Sequence, residues 1–152
     1  MEKRMSVMGI GHKAGAVVGA YLALTALVSW LVKPVFTITQ TGYGTLLTIG
    51  VVLIIVGFTC NLIAAFQMLA AHKRDTLATT GFYKLFLNPM YFLMLWITLP
   101  GVTLLFNSWL VLTAVPVSII VVKRFVKEEY SYLEKRYGSA YREYHKSVLF
   151  KF

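Results

Sequence analysis

Fourteen of the fifteen Lys and Arg residues lie in three polar segments that set off four apolar stretches. Lys3, Arg4 and Lys13 precede the first stretch, and Lys73, Arg74 and Lys84 divide the second from the third. Lys123, Arg124, Lys127, Lys135, Arg136, Arg142, Lys146 and Lys151 follow the fourth. Lys33 is the exception. This layout leaves few folds open. An apolar stretch of about 20 residues can satisfy its backbone inside a bilayer as a helix. Cytoplasmic loops retain Lys and Arg, whereas translocated loops lose them. The pattern predicts an integral, multi-pass membrane protein with four spans and both the N- and C-termini cytoplasmic. It also brings the middle connection and the tail to one membrane face.

Composition supports this reading. The chain is 58% hydrophobic and 14% charged, where soluble domains run near 45–50% and 25%. A net charge of +9 needs no nucleic acid as partner, because the cations flank apolar spans and no nucleic-acid-binding motif accompanies them. Membrane lipids are the expected surroundings. The single cysteine, Cys60, falls inside a span, so an intrachain disulfide is excluded. His12, His72 and His145 are scattered without metal-ligand spacing, and no metal is expected.

The expected architecture is an all-α membrane protein forming one membrane-embedded domain over residues 1–152. Its spans are placed at about 14–32, 46–71, 89–106 and 108–122, with a cytoplasmic tail over 123–152. Ala14–Val32 is longer than the roughly 7–15-residue apolar core of a signal peptide, and no clear cleavage site follows, so it reads as a retained span. Leu85–Val122 runs 38 residues without a charge. That is too long for one helix, and Phe106-Asn107-Ser108 is the natural turn, so the third and fourth spans form a tight hairpin. Pro100-Gly101 and Pro116 are expected to kink them. Asn61 and Gln67, deep in the second span, are expected to bond another helix. In the tail, Val126, Tyr130, Leu133 and Tyr137 make one apolar stripe. Gly138 should end that helix and Ser139 cap the next, where Tyr141, Tyr144 and Val148 continue the stripe. Such amphipathic helices either lie on the headgroups or fold back as a lid.

Two clusters could carry chemistry. The first is the segment Gly81–Tyr91. Taken locally, Asn88-Pro89 is a well-formed helix start, with Asn at the cap and Pro at the first helical position. The second is the acidic pair Glu128-Glu129, which taken alone is a solvated helix surface beside Arg124 and Lys127. Gly9, Gly11 and Gly15 follow no strand, so they are not a dinucleotide loop.

The two clusters together, in this order and with this hydropathy, resemble the membrane methyltransferases related to isoprenylcysteine carboxyl methyltransferase and phospholipid methyltransferase. The resemblance runs from about Gly57 to Val148. In the connection it rests on Leu77, Gly81, Tyr83, Asn88, Pro89 and Tyr91. In the tail it rests on Leu133, Glu134, Arg136, Tyr137, Gly138, Tyr141, Tyr144 and Val148. Leu87 stands where the family has Arg, with Arg124 or Lys84 as possible replacements for that cation. The family's acidic pair falls on Glu129 and Tyr130.

The resemblance implies transfer of a methyl group from S-adenosylmethionine to a hydrophobic small-molecule or lipidated acceptor at the cytoplasmic membrane face. It implies cofactor-binding roles for Gly81, Tyr83, Asn88, Pro89, Tyr91, Glu128, Glu129 and Tyr137. It singles out no catalytic residue. Carboxylates suit the sulfonium charge and ribose hydroxyls of such a donor, and tyrosine faces attract onium cations. Three other readings stay open: a family member that retains the fold as a non-catalytic scaffold, a four-helix transporter, and a lipid-binding module. A proton-coupled carrier needs an ionisable residue inside a span, and the four expected spans hold no Asp, Glu, Lys, Arg or His.

Overall fold

The computed structural model describes residues 11–151. Lys3, Arg4, Gly9 and the His12 side chain lie outside the described residues. Helix α1 (Gly11–Leu31) is followed by a single turn α2 (Lys33–Phe36) and the long α3 (Tyr43–Lys73). A 3₁₀ turn at Gly81–Lys84 leads to α4 (Pro89–Leu93), which runs through a π-helical turn at Met94–Thr98 into α5 (Leu99–Phe106). After α6 (Trp109–Leu112) come α7 (Ala114–Tyr137) and α8 (Ser139–Ser147). Among the described residues the only strand-like pairings are two isolated bridges, Thr37 with Ser108 and Phe86 with Phe150.

Four helical runs are long and apolar enough to cross a membrane: Lys13–Leu31, Tyr43–Lys73, Pro89–Phe106 and Trp109–Tyr137. Leu24, Ile55, Phe58, Phe66 and Ile120 point outward and are more than half exposed, as lipid-facing side chains of such helices must be.

Lipid tails are as apolar as leucine, so close backbone approach has to hold such helices together. Gly50, Gly57 and Ala64 supply it from α3. They stand seven residues apart and all are buried. A Cβ placed on Gly50 would lie 2.9 Å from the Gly101 carbonyl oxygen, and one placed on Gly101 would lie 2.9 Å from that of Gly50. A Cβ on Gly57 would collide with the Thr98 hydroxyl. On the other side, hydroxyl pairs tie α1 to the fourth run. Tyr21 Oη meets Thr113 Oγ1 at 2.8 Å, and Ser29 Oγ meets Ser108 Oγ at 2.7 Å. Leu95, Leu99, Val122 and Val126 fill the centre.

The two prolines are absorbed by different devices. Proline removes an N–H and crowds the carbonyl four residues back. Before Pro100 the helix widens, and the Leu99 N–H reaches back five residues to the Met94 carbonyl. Before Pro116 it tightens and restarts, with the Thr113 N–H on the Leu110 carbonyl at 3.2 Å. Asn107 makes the turn between α5 and α6 in the left-handed region, at φ 48° and ψ 42°. Its side-chain amide donates to the Thr39 carbonyl at 2.8 Å and accepts from the Thr39 N–H at 3.2 Å. The α2–α3 connection is thereby pinned to the turn.

Three local expectations are corrected. Among the described residues Asn61 bonds no other helix; its amide donates to the Gly57 carbonyl in its own helix at 3.0 Å. Gln67 bonds a connection rather than a span, accepting from the Phe82 N–H at 3.0 Å. Gly138 ends α7 at φ 56°, but Ser139 is the first residue of α8 and makes no capping bond. The α8 stripe settles on the protein itself. Tyr141, Tyr144 and Val148 are buried with Ala64, Tyr83, Leu87 and Leu93. Beyond them Phe150 pairs with the middle connection, through Leu87 N–H to Phe150 O and Phe150 N–H to Leu85 O, both at 3.0 Å.

Replacing Gly101 by Val should lower stability by about 1–3 kcal/mol, the usual cost of overpacking. Gly19→Ala, where a Cβ meets nothing within 4 Å, should be near neutral. Thermal unfolding in detergent measures both. Equal effects would mean that the α3–α5 contact does not depend on the small-residue seam.

Candidate functional site

Asn88 occupies the residue before α4, with Pro89 as the first helical residue, yet its side chain makes no capping bond. It reaches across the chain instead. Its amide nitrogen donates to Glu129 Oε1 at 3.4 Å, and its amide oxygen accepts from the Tyr130 hydroxyl at 2.7 Å. One turn into the helix, the Tyr91 hydroxyl donates to Glu129 Oε2 at 3.2 Å. Both oxygens of one carboxylate are therefore held by groups from the middle connection, some 40 residues away in sequence. Asn88 and Pro89 are buried, and Glu129 is half-buried in α7.

Tyrosines surround this carboxylate. Tyr83 is buried in the 3₁₀ turn, and its backbone carbonyl accepts from the Tyr144 hydroxyl at 2.8 Å. Burial pushes the Tyr83 phenol up from its ordinary value, and the nearby charge of Glu129 pushes the same way. Tyr141 is raised first by burial, then by Tyr130 and Glu129. The Tyr141 hydroxyl is buried and has no hydrogen-bond partner among the described residues. Buried polar atoms are nearly always paired, so this hydroxyl is a hydrogen-bonding group left over beside the Glu129 cluster.

Of the residues expected to hold a cofactor, Asn88, Tyr91 and Glu129 come together, and Tyr83 and Pro89 are buried alongside. Glu128 is exposed. Neighbours on a helix point about 100° apart, so only one acid of the pair can face the connection. Gly81 has φ +63° and packs on the Gln67 side chain, where it positions the turn. Tyr137 lies two turns beyond Glu129 and donates to the Thr76 carbonyl at 3.4 Å, beside an ion pair between Arg136 and Asp75. That pair is a second tie between connection and tail. Tyr130 and Tyr141 join the site by geometry. Their place in the tail stripe was the sequence signal that could have found them. Arg124 and Lys84 are both exposed. Leu87 is 4% exposed and sits in the apolar cluster under α8.

His145 lies edge-on to Tyr130, with ring centroids 5.9 Å apart, and equally far from Tyr141. Burial lowers its pKa, Lys151 lowers it further, and Glu134 opposes them.

Comparison with known proteins gives one result. The sequence pattern of the phospholipid methyltransferase family matches residues 44–140. That is nearly two-thirds of the 152-residue chain, and it contains Gly50, Asn88, Tyr91, Gly101, Glu129 and Tyr130. No curated protein matches, and no solved structure does.

Two measurements check the site. In a double-mutant cycle, Asn88→Ala and Tyr130→Phe should couple by at least about 0.5 kcal/mol in detergent unfolding; an Asn88 acting only as a helix cap would show no coupling. The second concerns pH. The folded His145 resists protonation, so its contribution is complete above about pH 6.5, the ordinary histidine range. It is lost as pH falls through the lower folded value. Tryptic protection of the tail should drop in that window in the wild type and stay flat in His145→Phe.

Proposed function

The chain belongs to the phospholipid methyltransferase family, and from that premise we propose that it transfers a methyl group from S-adenosylmethionine to a hydrophobic or lipid-like acceptor. The observation that carries this reading is the Glu129 carboxylate, gripped on both oxygens and walled by tyrosines. Bound there, S-adenosylmethionine would supply an electrophilic methyl carbon. The donor set suits it. Glu129 can balance a sulfonium charge or accept from ribose hydroxyls, and tyrosine faces attract such a cation. The buried Tyr141 hydroxyl offers one more polar contact.

The residues on hand act by placement. Asn88 and Tyr91 hold Glu129 in one orientation, and Tyr130 holds Asn88. The α8 stripe, seated on Tyr83 and Leu87, keeps water from this end of the bundle. Alignment and dehydration of two reactants can contribute about 7–11 kcal/mol, enough to dominate a displacement at a methyl carbon. The cation distribution supports a cytoplasmic position for this end, where a soluble donor is available. A lipid-like acceptor can enter from the side, between helices.

One observation favours a second reading. Leu87, at the family's Arg position, is packed under the tail, as it would be in a member that retains the fold without catalysis. Calorimetry on detergent-purified protein separates the two. The first reading expects binding heat with S-adenosylmethionine at millimolar concentration. It also expects an affinity loss of tenfold or more, about 1.4 kcal/mol, in Glu129→Ala and Asn88→Ala. No heat and no thermal stabilisation in the wild type would reject it in favour of the second.

A further inference from the structure

The end of the bundle away from Glu129 carries a different set of groups. A cavity of about 260 Å³ opens there, lined by Ser29, Trp30, Lys33, Thr37, Tyr43 and Asn107 among others. Most of its polar side chains are already engaged. Ser29 pairs with Ser108, the Tyr43 hydroxyl donates to the Leu105 carbonyl at 2.8 Å, and the Thr37 hydroxyl donates to the Lys33 carbonyl at 2.6 Å. The Asn107 amide is held by Thr39. The Lys33 ammonium is the group left over: among the described residues it has neither an ion-pair nor a hydrogen-bond partner.

Among the described residues, no acid of this end can neutralise it. From residue 14 to residue 72, Lys33 is the only Lys, Arg, Asp or Glu, and residues 85–122 contain none. The first acid after it, Asp75, lies beyond the far end of α3. At 1.5 Å per residue, the 31-residue α3 runs roughly 46 Å from Tyr43 in the cavity wall to the end that leads into Asp75. Lys33 also stands at the end of a run that is long and apolar enough to cross a membrane. Trp30 beside it is 65% exposed and Trp109 46% exposed, as expected of aromatic rings at headgroup level. An ammonium at that level, without a counter-ion among the described residues and at the mouth of a cavity, is complementary to a phosphate.

We propose that this cavity is a lipid-binding site, in which the phosphate of an anionic phospholipid pairs with Lys33 while Trp30 and Trp109 flank its glycerol region. It lies at the opposite end from the Glu129 cluster and does not depend on any reading of that cluster. The site gives the bundle a lipid contact that ties α1 to the Asn107 turn from outside, next to the Ser29–Ser108 pair.

The test uses the full chain in nanodiscs of phosphatidylcholine, with and without a few percent phosphatidylglycerol. Thermal unfolding is followed for the wild type, Lys33→Gln and Lys84→Gln. Lys84 is an exposed cation of the other end, so Lys84→Gln reports general attraction between anionic lipid and a basic protein. The expected result is a stabilisation by phosphatidylglycerol that is kept in Lys84→Gln and at least halved in Lys33→Gln. Native mass spectrometry should show one fewer retained phosphatidylglycerol in Lys33→Gln. An unchanged response in Lys33→Gln overturns the proposal. So does equal protection by inorganic phosphate added to pure phosphatidylcholine discs, which would make this a site for a soluble anion.

Discussion

The bond network around Asn88 is the constraint on which the rest of this end of the molecule depends. An asparagine before a proline would ordinarily cap its own helix. Here it leaves that position unfilled and joins Glu129 and Tyr130 on a helix some 40 residues later. Two elements from distant parts of the chain are thereby fixed at one depth and one rotation. With α7 held in that rotation, Glu129 faces inward and Glu128 outward. The Tyr130 ring is placed against His145, and the stripe of α8 meets Tyr83 and Leu87.

That arrangement needs a scaffold that does not slide. The seam of Gly50, Gly57 and Ala64 provides it, because backbones so close that a Cβ on Gly50 or Gly101 would lie 2.9 Å from the opposite carbonyl oxygen allow little play in register. Helices meeting through large side chains could shift by a fraction of a turn, at modest cost among lipid tails. The π-helical turn before Pro100 belongs to the same logic. It lets a proline stand beside the Gly101 contact without breaking the run.

The two ends of the bundle differ in their electrostatics. One end gathers the described acids, most of the cations and most of the tyrosines. The other has a single described cation and hydroxyls already bonded to one another or to backbone carbonyls. A soluble, polar methyl donor and a phosphate from the bilayer are the partners proposed for these two surroundings, and they place no competing demand on any one residue.

Length, apolarity and the spacing of cations were legible in the sequence because each is a property of one segment at a time. A run of apolar residues must hide its backbone whatever its neighbours are, so the four long helices followed directly. Matching two motifs pointed to a connection and a tail as the candidate site. Which residues of those segments touch is a pairwise property, set by the rotation of α7 and the depth of α4. Nothing in one segment alone records it. Tertiary packing therefore chose Glu129 over Glu128, turned Asn88 from a cap into a cross-link, and added Tyr130 and Tyr141. It also moved Gln67 onto Phe82 and Asn61 onto its own helix, since a side-chain amide bonds whichever carbonyl or N–H the packed helices bring within about 3 Å.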